Sequence, residues 1–301
     1  MVRTKNRNAI RETGGDRIFD LVINIIAVVI IVVVLYPLLF TLAASFSDPD
    51  YVVNGEVTIY PKGFTLEPYK MVFQNSDIWT GYRNSILYTV VGTITSMVLT
   101  ICLAYPLSRK DMPHRRALTL IILFTMYFNG GMVPTYMLVR DIGLYNTFWA
   151  VILPVAINTY NFIVARTFFE NSIPREMYES AMIDGSGDIR TLVSIVLPLS
   201  TAILAVLVLY YAVDYWNAYF NALIYLNDDN LYPLQIIIRN ILLIGQTEQM
   251  GSNSVGMGDK LKMAEAIKYS VIVVSSVPVL LIYPFVQKYF TKGVMIGAVK
   301  G

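Results

Sequence analysis

The sequence predicts an all-α membrane protein of six transmembrane helices, and three observations predict it: an excess of apolar residues, six long apolar runs, and basic clusters on alternate connections. Of 301 residues, 55% are hydrophobic and 15% are charged, against roughly one-quarter charged in soluble domains, and mean hydropathy is +0.56. That much apolar surface needs lipid. A spanning helix requires about 20 mostly apolar residues, and the runs 18–46, 82–108, 117–139, 147–169, 197–225 and 267–290 each meet that length. The first run exceeds the roughly 7 to 15 residues of a signal-peptide core and lacks a small-residue cleavage site, so it reads as a retained helix. An even number of spans returns both termini to one face. Arg3, Lys5, Arg7, Arg11 and Arg17 of the amino tail, Arg109, Lys110, Arg115 and Arg116, and Lys288, Lys292 and Lys300 all fall on that face, which the positive-inside bias makes cytoplasmic. The organisation is then a cytoplasmic amino tail (1–17), a membrane domain (18–290) and a cytoplasmic carboxyl tail (291–301), with a cytoplasmic loop at 170–198 and an extracytoplasmic loop at 226–266.

The runs contain Pro37, Pro106, Pro134, Pro154, Pro198, Pro278 and Pro284. Each proline removes a backbone donor, which a membrane helix tolerates where neighbouring helices or a water-filled path satisfy the freed groups. Kinked helices around a cavity are expected, with helix termination as the other use of Pro37, Pro106 and Pro284. In the 226–266 loop, Leu231 to Leu243 is apolar enough for a helix, whereas Gln246 to Lys260 is rich in Gly, Ser and Asn. Long loops of that kind are functional or disordered.

Several function classes fall away. One cysteine, Cys102, and one histidine, His114, leave no pair for a disulfide or for a His/Cys metal site. A net charge of +2 with dispersed basic residues does not describe a nucleic-acid surface. No Gly-x-x-x-x-Gly-Lys-Ser/Thr loop occurs, so the chain has no cradle for ATP, and no nucleophile–base pair or metal cluster points to an enzyme. Catalytic residues, metal ligands and cofactors of its own are therefore not expected. An ion-coupled secondary transporter would lean on intramembrane acids and often on inverted repeats. Asp214 is the one clear acid of that kind and no repeat is visible; this remains the alternative to a transporter driven by another chain.

The connection after the fourth run differs from the other cytoplasmic segments. It is acidic, with Glu170, Glu176, Glu179, Asp184 and Asp188 against Arg175 and Arg190. Pro174 suits a first helical turn, and Asp184-Gly185 is a strong stop, so a short helix is expected over 174–185, with a second beginning near Asp188 and its cytoplasmic part ending around Ile195, Leu197 and Pro198. Met177, Tyr178, Ala181 and Met182 fall along one side of the first helix. An apolar stripe in the cytoplasm needs cover, either from a partner protein or from this chain's own helix ends.

These residues carry a family resemblance. Glu179-Ser180-Ala181, three residues, Gly185, nine residues, then Ile195-Val196-Leu197-Pro198 resembles the EAA signature of permease subunits in binding-protein-dependent ABC importers, with Ser180 where the usual form has alanine. The segments 129–136 (Asn-Gly-Gly-Met-Val-Pro-Thr-Tyr), Tyr215-Trp216-Asn217 and the tail 292–301 extend the likeness to MalG-like sugar permeases, in particular the LplC- and YtcP-like oligosaccharide permeases. The resemblance implies a type I ABC importer permease fold in a bacterial cytoplasmic membrane. It implies as partners ATPase subunits in two copies, which bind ATP and Mg, a homologous second permease, and an extracytoplasmic sugar-binding protein. By matching position it assigns coupling to the ATPase to Glu179 and Gly185, and the other coupling candidates of the loop are Glu176, Tyr178, Ser180, Ala181, Met182, Asp184, Ile195, Leu197 and Pro198. It also places the binding-protein contact at Gly251, Ser252, Asn253, Ser254 and Gly256.

A sugar presents hydroxyls to amides and carboxylates and flat C–H faces to aromatic rings. Asp214, Tyr215, Trp216, Asn217, Tyr219 and Asn221 in the fifth run supply that mixture, and an acid in a membrane segment faces protein or water. The other reading of the group is an interfacial aromatic belt with Asp214 in a structural hydrogen bond. Asn158 and Asn161 in the fourth run and Asn129 in the third are further path candidates, with helix–helix hydrogen bonding as their alternative use.

Overall fold

The computed structural model describes residues 14–251 and 267–281. Every regular element among them is helical: α1 (Gly14–Ser45), α2 (Pro49–Val53), α3 (Glu67–Gln74), α4 (Ser76–Ser108), α5 (Arg115–Tyr127), α6 (Met132–Asp141), α7 (Phe148–Ile152), α8 (Thr159–Ser172), α9 (Arg175–Ile183), α10 (Asp188–Thr191), α11 (Leu197–Leu199), α12 (Thr201–Trp216), α13 (Phe220–Tyr225), α14 (Leu234–Gly251) and α15 (Ile267–Leu281). The chain divides into two units, Met1–Met71 with Glu248–Val273, and Val72–Thr247 with Val274–Gly301.

In the first unit, α1 has 32 residues and is about 48 Å long at 1.5 Å per residue, enough to cross a hydrocarbon core of about 30 Å. Its side chains are exposed from Gly15 to Leu39, an arrangement that only lipid or another chain can cover. The far end is anchored. Ala43 and Ala44 are buried with Val52 of α2 and Val57 of the loop after it, Ser45 Oγ and Tyr69 Oη are 2.8 Å apart, and the Ser270 hydroxyl of α15 donates to the Ser45 carbonyl.

The second unit is built on α4, which packs along α12 and α8. The face it turns inward is a ladder of small residues: Gly81, Ser85, Gly92, Ser96, Thr100 and Ala104 are all buried. Steps of four, with one of seven between Ser85 and Gly92, keep these positions on one side of the helix, and small side chains let helix backbones approach closely where apolar burial gives no driving force. A Cβ at Gly92 would lie 2.7 Å from the Tyr215 ring, so α12 uses the space that glycine leaves.

Among the described residues, α1 and α4 are long and apolar enough individually to cross a membrane, and three bent pairs pass the same test when their halves are taken together. The runs 117–139, 147–169 and 197–225 each hold more than one helix. α5 and α6 meet at 114°, α7 and α8 at 53°, and the stretch Asp188–Leu199 meets α12 at 87°. The breaks have local causes, and the prolines account for them unevenly. Pro37 and Pro106 lie inside α1 and α4 and interrupt neither. Pro134 lies inside α6, beyond the first break. That turn belongs to Gly130-Gly131: Gly131 has φ +92, a region glycine enters without steric cost, and Asn129 Oδ1 accepts its N–H at 2.9 Å. Pro154 sits in the 3-10 turn Leu153–Val155 that separates α7 from α8. Ahead of Pro198, residues Leu192–Val196 form a π turn in which the Leu197 N–H reaches the Leu192 carbonyl; a ring without an N–H widens the register, and the chain bends at Ser200. Pro278 lies within α15, and Pro284 lies outside the described residues.

Candidate functional site

Two places bring predicted residues together. The first is the short helix α9. It starts after Pro174, whose backbone is extended, and stops at Asp184. Gly185 follows at φ +71, its N–H bonded to the Met182 carbonyl at 3.1 Å and the Ser186 N–H bonded to that of Ala181 at 2.9 Å. This paired closure requires a left-handed residue after the helix, which is why glycine stands there.

The apolar stripe expected on one side of α9 is divided. Ala181 is buried and Tyr178 half-buried, whereas Met182 is 58% exposed. Met177 is also exposed, as are Ile183, the last residue of the helix, at 86% and Ile189 beyond it at 79%. Helix geometry explains the division, because residues one apart point about 100° from each other. Glu176 and Glu179 are exposed too, and Glu179 pairs with Arg175 one turn earlier at 2.9 Å. Ile195 and Leu197 are half-buried and Pro198 is exposed, all in the stretch that leads to the bend at Ser200, while Val196 between them is fully buried.

Behind α9 the segment is clamped to the end of α4. Arg109, only 13% exposed at its side chain, donates through Nε and Nη2 to the two oxygens of Asp111 at 3.0 and 2.7 Å. Its Nη1 donates to Asp188 Oδ1 at 2.7 Å and to the Tyr105 hydroxyl at 3.3 Å, and its guanidinium lies over the Tyr178 ring at 5.4 Å. A planar fork with five donors suits this use as an ammonium does not. The hydrogen bond from Arg109 holds the Asp111 carboxyl below the usual carboxylate range, and burial pushes the Tyr178 phenol up to about 12. A second clamp lies beside it: Glu170 pairs with Arg115 at 3.0 Å and Arg166 at 2.9 Å, and Arg166 Nε donates to the Leu107 carbonyl. The two clamps border a cavity of about 340 Å³ that includes Tyr178, Glu179 and Met182 in its lining.

The second place is a cavity of about 290 Å³ lined by Asn158, Asp214, Tyr215, Asn217, Tyr219 and Asn221 together with Tyr211. Two phenols are fixed by α4: Tyr215 Oη lies 2.8 Å from Ser96 Oγ, and Tyr211 Oη lies 2.6 Å from Thr100 Oγ1. Asp214 is exposed, and none of the ion pairs among the described residues includes it.

A family model described as "Binding-protein-dependent transport system inner membrane component" matches residues 78–296, which takes in α4 from its third residue, both clamps, α9 and the cavity. The chain belongs to that family. Two relatives from Bacillus subtilis (strain 168) match over nearly their whole length. The polygalacturonan/rhamnogalacturonan transport system permease protein YtcP is 41% identical over 95% of this chain and 99% of that protein. The protein LplC is 38% identical over 98% of this chain and 99% of that protein. Among solved structures, a chain of a bacterial ABC transporter involved in the import of the acidic polysaccharide alginate superposes with a TM-score of 0.85 at 33% identity, covering 94% of this chain and 100% of that one. Family membership gives the ion-coupled alternative no support.

In this permease the remaining predicted path residues stand apart from the cavity lining. Trp216 is buried with its ring 6.2 Å from that of Tyr82. Asn161 is buried on α8, and Asn129 closes the turn before α6. Asn158 lines the cavity and also caps α8 by accepting the Asn161 N–H. Gly251 ends α14, and Ser252, Asn253, Ser254 and Gly256 lie outside the described residues. Sequence reading passed over Tyr211, which lies one turn before Tyr215 on the same face, and Arg109, which counted only as one of a basic cluster. The i, i+4 step carries a signal for the first; the second depends on contacts 79 positions apart in the chain.

Proposed function

We propose that this permease is the translocation subunit of an ATP-driven oligosaccharide importer and that α9 is the helix by which a separate ATPase subunit grips it. The observation that carries the reading is the outward face of α9: Met182 and Ile183 with the carboxylates Glu176 and Glu179, all exposed, on a segment held rigidly from behind. Exposed apolar side chains ringed by acids fit a partner groove that is apolar at its floor and basic at its rim. In the working assembly, two ATPase subunits hold the ATP and Mg, a homologous second permease completes the pore, and an extracytoplasmic sugar-binding protein delivers the substrate. Both termini are then cytoplasmic, a reading supported by the Lys/Arg bias of the amino tail, of the connection at 109–116 and of the carboxyl tail.

The substrate class is supported by the substrates for which the relatives are named, polygalacturonan and rhamnogalacturonan, and alginate, and by the cavity, whose amides and phenols suit a hydroxyl-rich ligand. The test is reconstitution in proteoliposomes with the ATPase subunits, the second permease and the binding protein. Uptake of short oligogalacturonates is expected to need ATP inside, and Glu179→Lys is expected to release the ATPase subunit during purification. Uptake driven by an ion gradient without the ATPase refutes the proposal.

A further inference from the structure

We infer that α4 is the rod that carries the motion of the cytoplasmic segment to the sugar cavity, with Arg109 fixing the segment to the rod and two hydroxyl pairs fixing the rod to the cavity wall. The inference rests on the reading of α9 as the docking helix and adds the route beyond it. Three observations define that route.

At the cytoplasmic end, Arg109 bonds the Asp188 carboxylate at 2.7 Å and covers the Tyr178 ring of α9. One turn up α4, the Tyr105 hydroxyl donates to the Asp188 carbonyl at 3.2 Å. The segment is thus held from its backbone and its side chain at once. Further along the same helix, Thr100 and Ser96 meet Tyr211 and Tyr215 in two buried hydroxyl pairs at 2.6 and 2.8 Å, and both phenols line the cavity. Between Ser96 and Tyr105 the helix contains neither glycine nor proline, and Pro106, between Tyr105 and Arg109, lies within α4 without interrupting it. Buried hydroxyl pairs resist separation because each parting gives up a short hydrogen bond, leaving Tyr215 only the longer contact to the Ile152 carbonyl at 3.3 Å and Tyr211 only that from the Asn158 N–H at 3.4 Å.

The alternative route is built differently. From α10 it runs through the π turn Leu192–Val196 and past Pro198, then turns 87° into α12. Such a path absorbs displacement as a hinge does. The continuous helix, gripped at both ends by directional polar contacts, is the stiffer of the two. Arg109, Thr100, Tyr211 and Ser96 are on this view positioning residues: they carry displacement and need not touch ATP.

The test follows the cavity wall directly and needs no identified sugar. In the assembled complex, with Cys102→Ser as background, Asn221→Cys reports on the cavity through its rate of alkylation by a water-soluble maleimide, with and without ATP and vanadate. In this background the rate is expected to change when nucleotide is trapped. Arg109→Ala is expected to shrink that change by at least about fivefold, the low end for coupling between two sites, while the ATPase subunit still copurifies. Tyr211→Phe with Tyr215→Phe removes only two oxygens and is expected to have the same effect, so the test stands if Arg109→Ala fails to assemble. Combining these with Arg109→Ala is expected to add nothing further, as for lesions in one route. A full nucleotide-dependent change in either variant, or none in the background complex, overturns the inference. An ATPase subunit that does not copurify with the unmutated permease overturns the docking reading instead.

Discussion

Gly92→Ala sets helix propensity against packing. Alanine in a helix interior is more favourable than glycine by about 1 kcal/mol, so α4 taken alone gains stability. The structure opposes this: the new Cβ lies 2.7 to 2.8 Å from three atoms of the Tyr215 ring, whereas carbon atoms rest at about 3.5 to 4.0 Å. The ring must retreat by roughly 1 Å, yet its hydroxyl is held by Ser96 at 2.8 Å and by the Ile152 carbonyl at 3.3 Å. Overpacking of this kind costs about 1 to 3 kcal/mol, and loss of a hydrogen bond between membrane helices adds about 0.6. Subtracting the propensity gain leaves a destabilisation of about 0.5 to 2.5 kcal/mol. Unfolding of the purified permease in mixed micelles, titrated with dodecyl sulfate and followed by tryptophan fluorescence, measures it. Gly187→Ala, at a glycine with nothing within 4 Å of the added carbon, is the control. Stability equal to or above wild type for Gly92→Ala refutes the account of α4 packing.

Three further outcomes are expected. At Gly185, where φ is +71 and an added Cβ meets nothing within 4 Å, Gly185→Val is expected to weaken ATPase copurification through backbone strain of about 1 to 2 kcal/mol, and Gly185→Asn less; equal retention by all three forms contradicts a conformational role. Asp111, held below its usual range first by the hydrogen bond from Arg109, contributes stability that is present above its unfolded value of about 3.9 and is lost as pH falls through the lower folded value. Hydrogen exchange of residues 175–191, corrected for the intrinsic rate, is therefore expected to keep the same protection from pH 7 down to about 5 in wild type and to lose part of it in Asp111→Asn, with a loss in wild type over that interval as the contrary result. Asp214→Asn is expected to raise uptake of an acidic oligosaccharide relative to a neutral one by roughly fivefold, from about 1 kcal/mol of relieved repulsion at high effective dielectric; an unchanged ratio in proteoliposomes removes Asp214 from the path.

Local determinants were the legible ones. The bounds of α9, Arg175–Ile183, sit inside the interval marked by Pro174 and Asp184-Gly185, because helix starts and stops depend on φ and on missing donors within a few residues. The grouping of Asp214 with Tyr215, Asn217, Tyr219 and Asn221 around one cavity follows from their closeness in the chain. The break before α6 was harder to place: proline drew attention to Pro134, while the turn lies in the two glycines ahead of it.

Composition, apolar run length and the spacing around Glu179 and Gly185 therefore determined, without any coordinates, that this is an all-α membrane permease with a short acidic helix beside its membrane core. Those features are set residue by residue by solvation and local backbone preference. Tertiary structure decided which side of α9 faces outward, that Arg109 joins segments 79 positions apart, and that the small residues of α4 receive Tyr211 and Tyr215. The physical reason is range: such contacts form between elements whose mutual approach depends on the packing of whole helices, and no local pattern encodes that approach.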